Sequence, residues 1–247
     1  MKKKYVQVGL GGRARFFYEA IASTYHQTCE LVGFCDVSQT RMDYANRILV
    51  NKYGQKKVKT CMPSQFEQLL DDVRPAEVII TSVDRTHHDY IIRAMKKGYD
   101  VICEKPLTID EEKAQEIITV QKQTGRSLRV TFNYRYAPYH TKIKELIESD
   151  VIGDVFSIHF EWLLNTQHGA DYFRRWHRNK HNSGGLLVHK STHHFDDLFG
   201  EEKEEDPWNR AATHVDGILS ILTGIAANHS IASGKAVVID ELVSLKE

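Results

Sequence analysis

The chain has 247 residues, enough for one or two domains and a substantial buried core. Its 33 Lys and Arg equal its 33 Asp and Glu, so the sequence lacks the electrostatic footprint of a nucleic-acid or anionic-membrane binder. With 41% hydrophobic and 27% charged residues the composition is ordinary for a soluble globular protein, and no run reads as the ~18 apolar residues of a membrane span.

Lys2, Lys3 and Lys4 open the chain, but only a strand's length of apolar residues follows, so no signal peptide is expected. Strands are predicted at 4–9, 30–36, 57–60, 77–83, 100–103 and 127–132, with helices at 13–24, 38–52, 63–73, 86–97 and 109–123. Such alternation predicts an α/β fold with a doubly wound parallel sheet. Asp84-Arg85-Thr86 is read as the cap of the fourth helix and Gly98 as its end; Thr108 with Glu111 reads as a capping box for the fifth, closed by Gly125.

The first strand runs into Gly9-Leu10-Gly11-Gly12-Arg13-Ala14, the G-x-G-x-x-A spacing of a dinucleotide-binding turn. Gly9 permits the tight turn, Gly11 lets the backbone approach a pyrophosphate, and small Ala14 lets the helix pack on the strand. Gly12 and Arg13 complete the turn, whose helix N-terminus faces the phosphate charge. The second strand ends in Asp36, where an acid takes the ribose hydroxyls and repels a 2′-phosphate. NAD is therefore the expected cofactor, with Ser38 and Arg41 leaving NADP open. Ser82, Asp84, Glu104 and Asn133 fall at carboxyl ends of predicted strands, where such sheets bind ligands, and His87 is a candidate wall of the nicotinamide pocket.

Beyond a predicted boundary at 133/134 the pattern changes to a reduced α+β domain, 134–247. A helix is predicted at 137–149, and Val155 through Trp162 alternates like a strand with one wet face. A basic-aromatic stretch, Tyr172 through Arg178, precedes Ser183-Gly184-Gly185 and a His-rich helix. Glu201 through Asp206 reads as a charged surface loop, followed by a helix at 214–232, Gly234 beyond its end, and an apolar run at 236–239. The four cysteines, Cys29, Cys35, Cys61 and Cys103, show neither C-x-x-C nor zinc-ligand spacing, which fits a reduced, cytoplasmic setting.

Three segments in order, Gly9-x-Gly11-x-x-Ala14, Glu104-Lys105-Pro106 and Gly184-Gly185-Leu186-Leu187 leading to His193, closely resemble the glucose-fructose oxidoreductase, inositol dehydrogenase and MocA (Gfo/Idh/MocA) family. The resemblance implies a Rossmann domain at 1–133 and hydride transfer between NAD(P) and a hydroxyl-bearing carbon of a sugar, glycoside or cyclitol. It implies Lys105 as the active-site lysine and His193 as the general acid/base, since hydride leaves carbon only as the hydroxyl proton departs. Asp196, one helical turn beyond His193, would orient the imidazole or contact a substrate hydroxyl.

Two departures stand out. The acid that the family usually carries four residues before the catalytic histidine is His189 here, and Lys190 follows it, marking a sub-branch with its own substrate constellation. His193 through Asp197 also runs almost directly into Leu198-Phe199-Gly200, without the several antiparallel strands of the family's substrate domain. An internal deletion is the simplest reading, and it weakens, without excluding, homo-oligomerisation.

Arg175, Trp176 and His177 are candidate sugar contacts, because aromatic faces stack on sugar C–H surfaces, with ordinary domain packing as the alternative. His189 and His193 stand i, i+4 on a helix, but no third ligand accompanies them and no metal is expected. Three readings follow: an NAD(P)-dependent sugar or cyclitol oxidoreductase, a non-catalytic dinucleotide-binding remnant, or a deletion product whose uncovered apolar faces drive association.

Overall fold

A computed structural model describes residues 1–157, 159, 161, 163, 165–190, 192 and 211–245. It divides into two compact units, one of Met1–Glu104 with Gln115–Arg129, the other of Lys105–Ala114 with Val130–Glu247.

The first unit is built on a six-stranded sheet of order β3-β2-β1-β4-β5-β6. Its strands are β1 (Lys3–Val8), β2 (Cys29–Cys35), β3 (Lys59–Cys61), β4 (Glu77–Ile80), β5 (Asp100–Glu104) and β6 (Leu128–Thr131), the last reaching across the boundary between the units. The pairs β1–β2, β1–β4, β2–β3 and β4–β5 are all parallel. The chain starts in the middle of the sheet, grows to one edge through β3, then returns beside β1 with β4. The β1/β4 neighbourhood is thus a topological switch point, where α/β sheets open a crevice for ligands.

Between the strands lie α1 (Ala14–Ala22), α2 (Gln39–Tyr53), α3 (Phe66–Val73), α4 (His87–Lys96) and α5 (Glu111–Thr124). One face of α1 buries Ala14, Tyr18 and Ala22 against Phe34, Met42, Ala45 and Leu49, with Tyr18 and Phe34 meeting edge to face at 5.9 Å. Every residue of β4 is buried, as a central parallel strand covered on both faces requires. The six predicted strands and five predicted helices of this region are all present. Gly98, Gly125 and Gly234 follow the helices they were expected to close.

Two caps differ from expectation. Thr108 does not cap α5: its hydroxyl is buried without a hydrogen-bond partner, and Asp110 accepts from the Lys113 amide at 3.0 Å instead. A carboxylate directly before the first turn reaches an exposed amide that the Thr108 hydroxyl, two residues further back, does not. Asp84-Arg85-Thr86 forms a 3-10 turn, and Thr86 turns its hydroxyl back to the Val83 carbonyl at 2.7 Å rather than capping α4.

In the second unit, α6 (Pro138–Glu148) buries none of its residues. The strand expected at 155–162 is absent among the described residues there, none of which is paired in a sheet. An alternating segment becomes a strand only beside a partner that takes its amides, and no described strand offers one. Shorter helices at Thr166–Arg174 and Lys180–Ser183, a 3-10 turn at Trp176–Arg178 and helical residues 186–190 lead to a closing helix, His214–Ser233. The loop expected at 201–206 lies outside the described residues.

By length and composition alone the 20 residues of that closing helix are long and apolar enough to cross a membrane, although no run was expected to be. Half of the window is buried inside the protein. Gly217 and Gly224 explain why: a side chain at Gly217 would meet Val130 at 2.6 Å, and one at Gly224 would meet the Leu187 backbone at 2.8 Å. The helix behaves as the core of its unit.

Candidate active site

In the first unit, the β1–α1 turn is held from beneath. Gly9 has φ +80°, and a Cβ there would lie 2.4 Å from Ser82 Cα. Glycine is required at this position both by conformation and by the close approach of the end of β4. Buried Gln7 donates to the Ala14 carbonyl at 3.0 Å and to Thr81 Oγ1 at 3.2 Å, while the Thr81 hydroxyl donates to the Gly9 carbonyl at 2.6 Å. Sequence reasoning missed this Gln7–Thr81 brace; a polar residue inside the apolar first strand was the available signal. Gly11 and Gly12 differ from Gly9, since a Cβ at either meets nothing within 4 Å. The turn is rigid below and open above, and the amides of α1 begin there without a side-chain cap.

Asp36 lies at the end of β2 and is buried. Its Oδ2 accepts from the Leu10 amide in the glycine turn at 2.5 Å, and its Oδ1 accepts from the Ser38 amide at 2.8 Å. Arg41 approaches Oδ1 only to 3.9 Å and is largely exposed. A carboxylate oxygen can accept more than one hydrogen bond, so Asp36 is both anchored to the turn and able to receive ribose hydroxyls. The glycines that leave the turn open, the exposed helix amides and this oriented acid fit a dinucleotide, and the acid favours a free 2′-hydroxyl over a 2′-phosphate.

Arg13 and Glu104, both expected at the cofactor site, meet directly: Nε donates to Oε1 at 2.7 Å, with the Glu104 side chain buried and Arg13 half exposed. Ser82 is half-buried and accepts from Thr86 Oγ1 at 2.8 Å. His87 is 1% exposed and donates from Nε2 to the Ser82 carbonyl at 3.1 Å.

In the second unit, Lys105 donates from Nζ to the His189 carbonyl at 2.8 Å. The His189 ring is buried and sits 5.5 Å from Tyr172, 5.7 Å from Trp176 and 4.8 Å from His177. Trp176 and His177 stack at 3.8 Å, and Lys190 Nζ lies 5.7 Å from the centre of the Tyr172 ring. Burial holds the Lys190 ammonium below its usual pKa. Four of the six residues expected at the substrate site, Trp176, His177, His189 and Lys190, are therefore together, and Arg175 is exposed at the start of the turn that carries Trp176. Buried Tyr172 was not singled out, although it stands four residues before Trp176 in the same aromatic stretch. His193 and Asp196 lie outside the described residues. Among the described residues, no group of three or more His, Cys, Asp or Glu is placed to hold a metal ion.

Residues 3–132 match the family model described as the oxidoreductase family, NAD-binding Rossmann fold, and residues 144–217 match the companion described as the C-terminal alpha/beta domain of that family. A Bacillus subtilis protein named as an oxidoreductase, YteT, is 35% identical over 196 residues, which cover 78% of this chain and 45% of that protein. The glucose-6-phosphate 3-dehydrogenase of Bacillus subtilis is 31% identical over 169 residues, covering 66% of this chain and 43% of the relative. Among solved structures, myo-inositol 2-dehydrogenase from Lactobacillus plantarum superposes with a TM-score of 0.69 at 20% identity, over 80% of this chain and 56% of that one. Scyllo-inositol dehydrogenase from Lactobacillus casei, solved with NAD(H) and scyllo-inositol, gives 0.65 at 24% identity, over 80% and 55%. These likenesses show the fold. The chain spans less than half the length of the two curated relatives.

Proposed function

The chain belongs to the Gfo/Idh/MocA oxidoreductase family, with residues 3–132 as its NAD-binding Rossmann domain, and from that premise we propose that it transfers hydride between NAD and a hydroxyl-bearing carbon of a sugar, glycoside or cyclitol. The observation that carries this reading is the Asp36 carboxylate bonded to the Leu10 amide inside the glycine turn. It ties the acid that selects the ribose to the loop that receives the pyrophosphate.

Gly9, Gly11, Gly12, Arg13 and Ala14 would form the phosphate cradle, with Asp36 on the adenosine ribose and Ser82, His87 and Glu104 at the strand ends. Bound there, NAD supplies the hydride acceptor. Lys105 would hold the substrate oxygen and stabilise its developing negative charge, and His193 would take the hydroxyl proton. Substrate recognition is assigned to Arg175, Trp176, His177, His189, Lys190 and Asp196. The His189 carbonyl fixes the Lys105 ammonium now, so substrate would compete for, or share, an already oriented donor.

Isothermal titration with NAD, NADH, NADP and NADPH, followed by turnover on a polyol and sugar panel, tests the reading. Saturable NAD(H) binding with turnover that Lys105→Ala or His193→Ala abolishes is the expected result. Absence of NAD(H) binding would sink it. A second reading, a dinucleotide-binding protein without turnover, rests on the internal deletion read from the sequence after Asp197. Binding without turnover on any substrate would select it.

A further inference from the structure

Two of the four cysteines meet across the sheet. Parallel pairing of β2 with β3 puts Cys35 and Cys61 in register, each as the last residue of its strand. In-register residues of neighbouring strands project to the same face. Neighbouring strands lie about 4.8 Å apart, inside the ~4.4–6.8 Å window of Cα separations that a disulfide bridges. Both thiols are free and buried, Cys35 completely and Cys61 to 7% exposure.

A buried cysteine ordinarily packs as an inert small hydrophobe, a description that fits Cys103, where burial pushes the thiol far up. The Cys35–Cys61 pair differs. Its two thiols share a hydrogen bond, which holds Cys61 below its usual pKa despite burial, helped by the Arg93 guanidinium. The same contact, together with burial, pushes Cys35 up. The reactive thiolate is therefore the one on Cys61, with a proton donor beside it. Cys61 is also the more approachable of the two, since β3 has only three residues and forms an edge of the sheet. A short edge strand opens locally far more readily than the strands it flanks, which admits a small reagent.

The pair lies directly behind the cofactor turn. The Cys35 carbonyl accepts from the Gly9 amide at 2.8 Å, and the Cys61 carbonyl accepts from the Asp36 amide at 3.4 Å. Asp36 follows Cys35 in the chain and holds the Leu10 amide. A disulfide brings its Cβ atoms to about 3.8 Å, closer than strand spacing, so closing one here draws β3 and β2 together beneath Asp36.

We propose that Cys35 and Cys61 form a dithiol–disulfide site for hydroperoxides, whose bridged form displaces Asp36 and weakens NAD(H) binding. The thiol chemistry goes beyond the oxidoreductase reading, while the effect on affinity rests on the dinucleotide site at Asp36. With hydrogen peroxide, the Cys61 thiolate attacks one oxygen and the O–O bond breaks. Cys61 becomes a sulfenic acid, and the other oxygen leaves as hydroxide, which takes the Cys35 proton to give water. The Cys35 sulfur then attacks Cys61 Sγ; the S–S bond forms, the S–O bond breaks, and hydroxide leaves. That hydroxide recovers the proton Cys61 released on ionising. Two thiols are oxidised to one disulfide as one peroxide is reduced to two waters.

The test adds hydrogen peroxide to the full chain and to a Cys29→Ser form, in which Cys35 is the sole cysteine of its tryptic peptide. Tandem mass spectrometry of non-reducing digests locates the bridge. NADH fluorescence titration follows affinity before oxidation, after it, and after dithiothreitol. A Cys35–Cys61 linked peptide and an NADH affinity weakened about tenfold are expected, both reversed by dithiothreitol. Cys61→Ser should form no bridge and keep its affinity in peroxide. If it does not melt cooperatively, Cys61→Ala replaces it, and the peptide map of the unsubstituted chain needs neither. Absence of the linked peptide, including oxidation of Cys61 without bridging, would overturn the proposal. A bridge that leaves NADH affinity unchanged would overturn its control of the cofactor. Failure of the reduced chain to bind NADH counts against the dinucleotide reading, and the peptide map then tests the thiol site by itself.

Discussion

The amide of Leu10 in the glycine turn donates to Asp36 Oδ2 at 2.5 Å, joining the loop after the first strand to the acid that ends the second. One side chain therefore serves two purposes, bracing the turn and presenting a carboxylate where a ribose is expected.

Asp36→Ala should affect both. It leaves the Leu10 and Ser38 amides without their acceptor, at a cost of about 1–3 kcal/mol of stability. It should also weaken NADH by about tenfold or more. Asp36→Asn keeps an acceptor but loses the charge, so it should narrow the NADH/NADPH affinity ratio more than it lowers the melting temperature. Calorimetric titration of both cofactors alongside thermal melts separates the two roles.

The glycines of the turn should also divide by function. Gly9→Ala places a methyl 2.4 Å from Ser82 Cα at a left-handed backbone position, so about 3–4 kcal/mol of stability should be lost together with cofactor binding. Gly11→Ala meets no neighbouring atom and should leave the melting temperature within a few degrees. Its effect should appear in NADH affinity, because the added methyl faces the space assigned to pyrophosphate. Equal destabilisation by the two substitutions would refute the division.

Much of the Rossmann unit was legible because its signals are local. The Gly9–Ala14 spacing, the acid at Asp36 and strand–helix alternation with few long loops each restrict short stretches of backbone. The Gln7–Thr81 brace was not legible, since it depends on two strands 74 positions apart becoming neighbours in the sheet. The described residues of the strand expected at 155–162 (155–157, 159 and 161) show the opposite failure: alternation is a local signal, whereas a strand needs a partner. At the substrate site, the aromatic and basic residues between 172 and 190 were visible in the sequence. Their convergence on Tyr172 depends on the fold-back at Ser183 and Gly184, which no periodicity encodes.

Glu19 should contribute to acid sensitivity. Glu19 accepts from Lys52 Nζ at 2.8 Å and from the Tyr53 hydroxyl at 2.6 Å, which with Arg15 lower its pKa from the usual 4.5 to about 2. A carboxylate with a depressed folded-state pKa contributes stability that is fully present above pH 4.5 and is lost as pH falls towards 2. Glu19→Gln should therefore lower the melting temperature at pH 7 and flatten its fall between pH 4.5 and 2. Melts across that range for the two proteins check it, and parallel curves would show that Glu19 contributes nothing to the acid sensitivity.

The closing helix depends on Asp216 through three contacts at once. Its Oδ2 accepts from the Thr213 amide at 2.6 Å and the Thr213 hydroxyl at 2.7 Å, completing a capping box, while Oδ1 pairs with buried Arg135 at 3.2 Å. Asp216→Ala removes the cap and leaves a guanidinium buried beside no carboxylate from this position, so about 3 kcal/mol or more should be lost. Asp216→Asn retains capping geometry but not the charge and should fall between the two. The decisive comparison is Arg135→Met combined with Asp216→Ala. Removing both charges should recover part of the loss, because a buried guanidinium deprived of the Asp216 carboxylate carries part of the cost. Additive losses in the double variant would instead show that the two side chains act independently and that their pairing holds nothing.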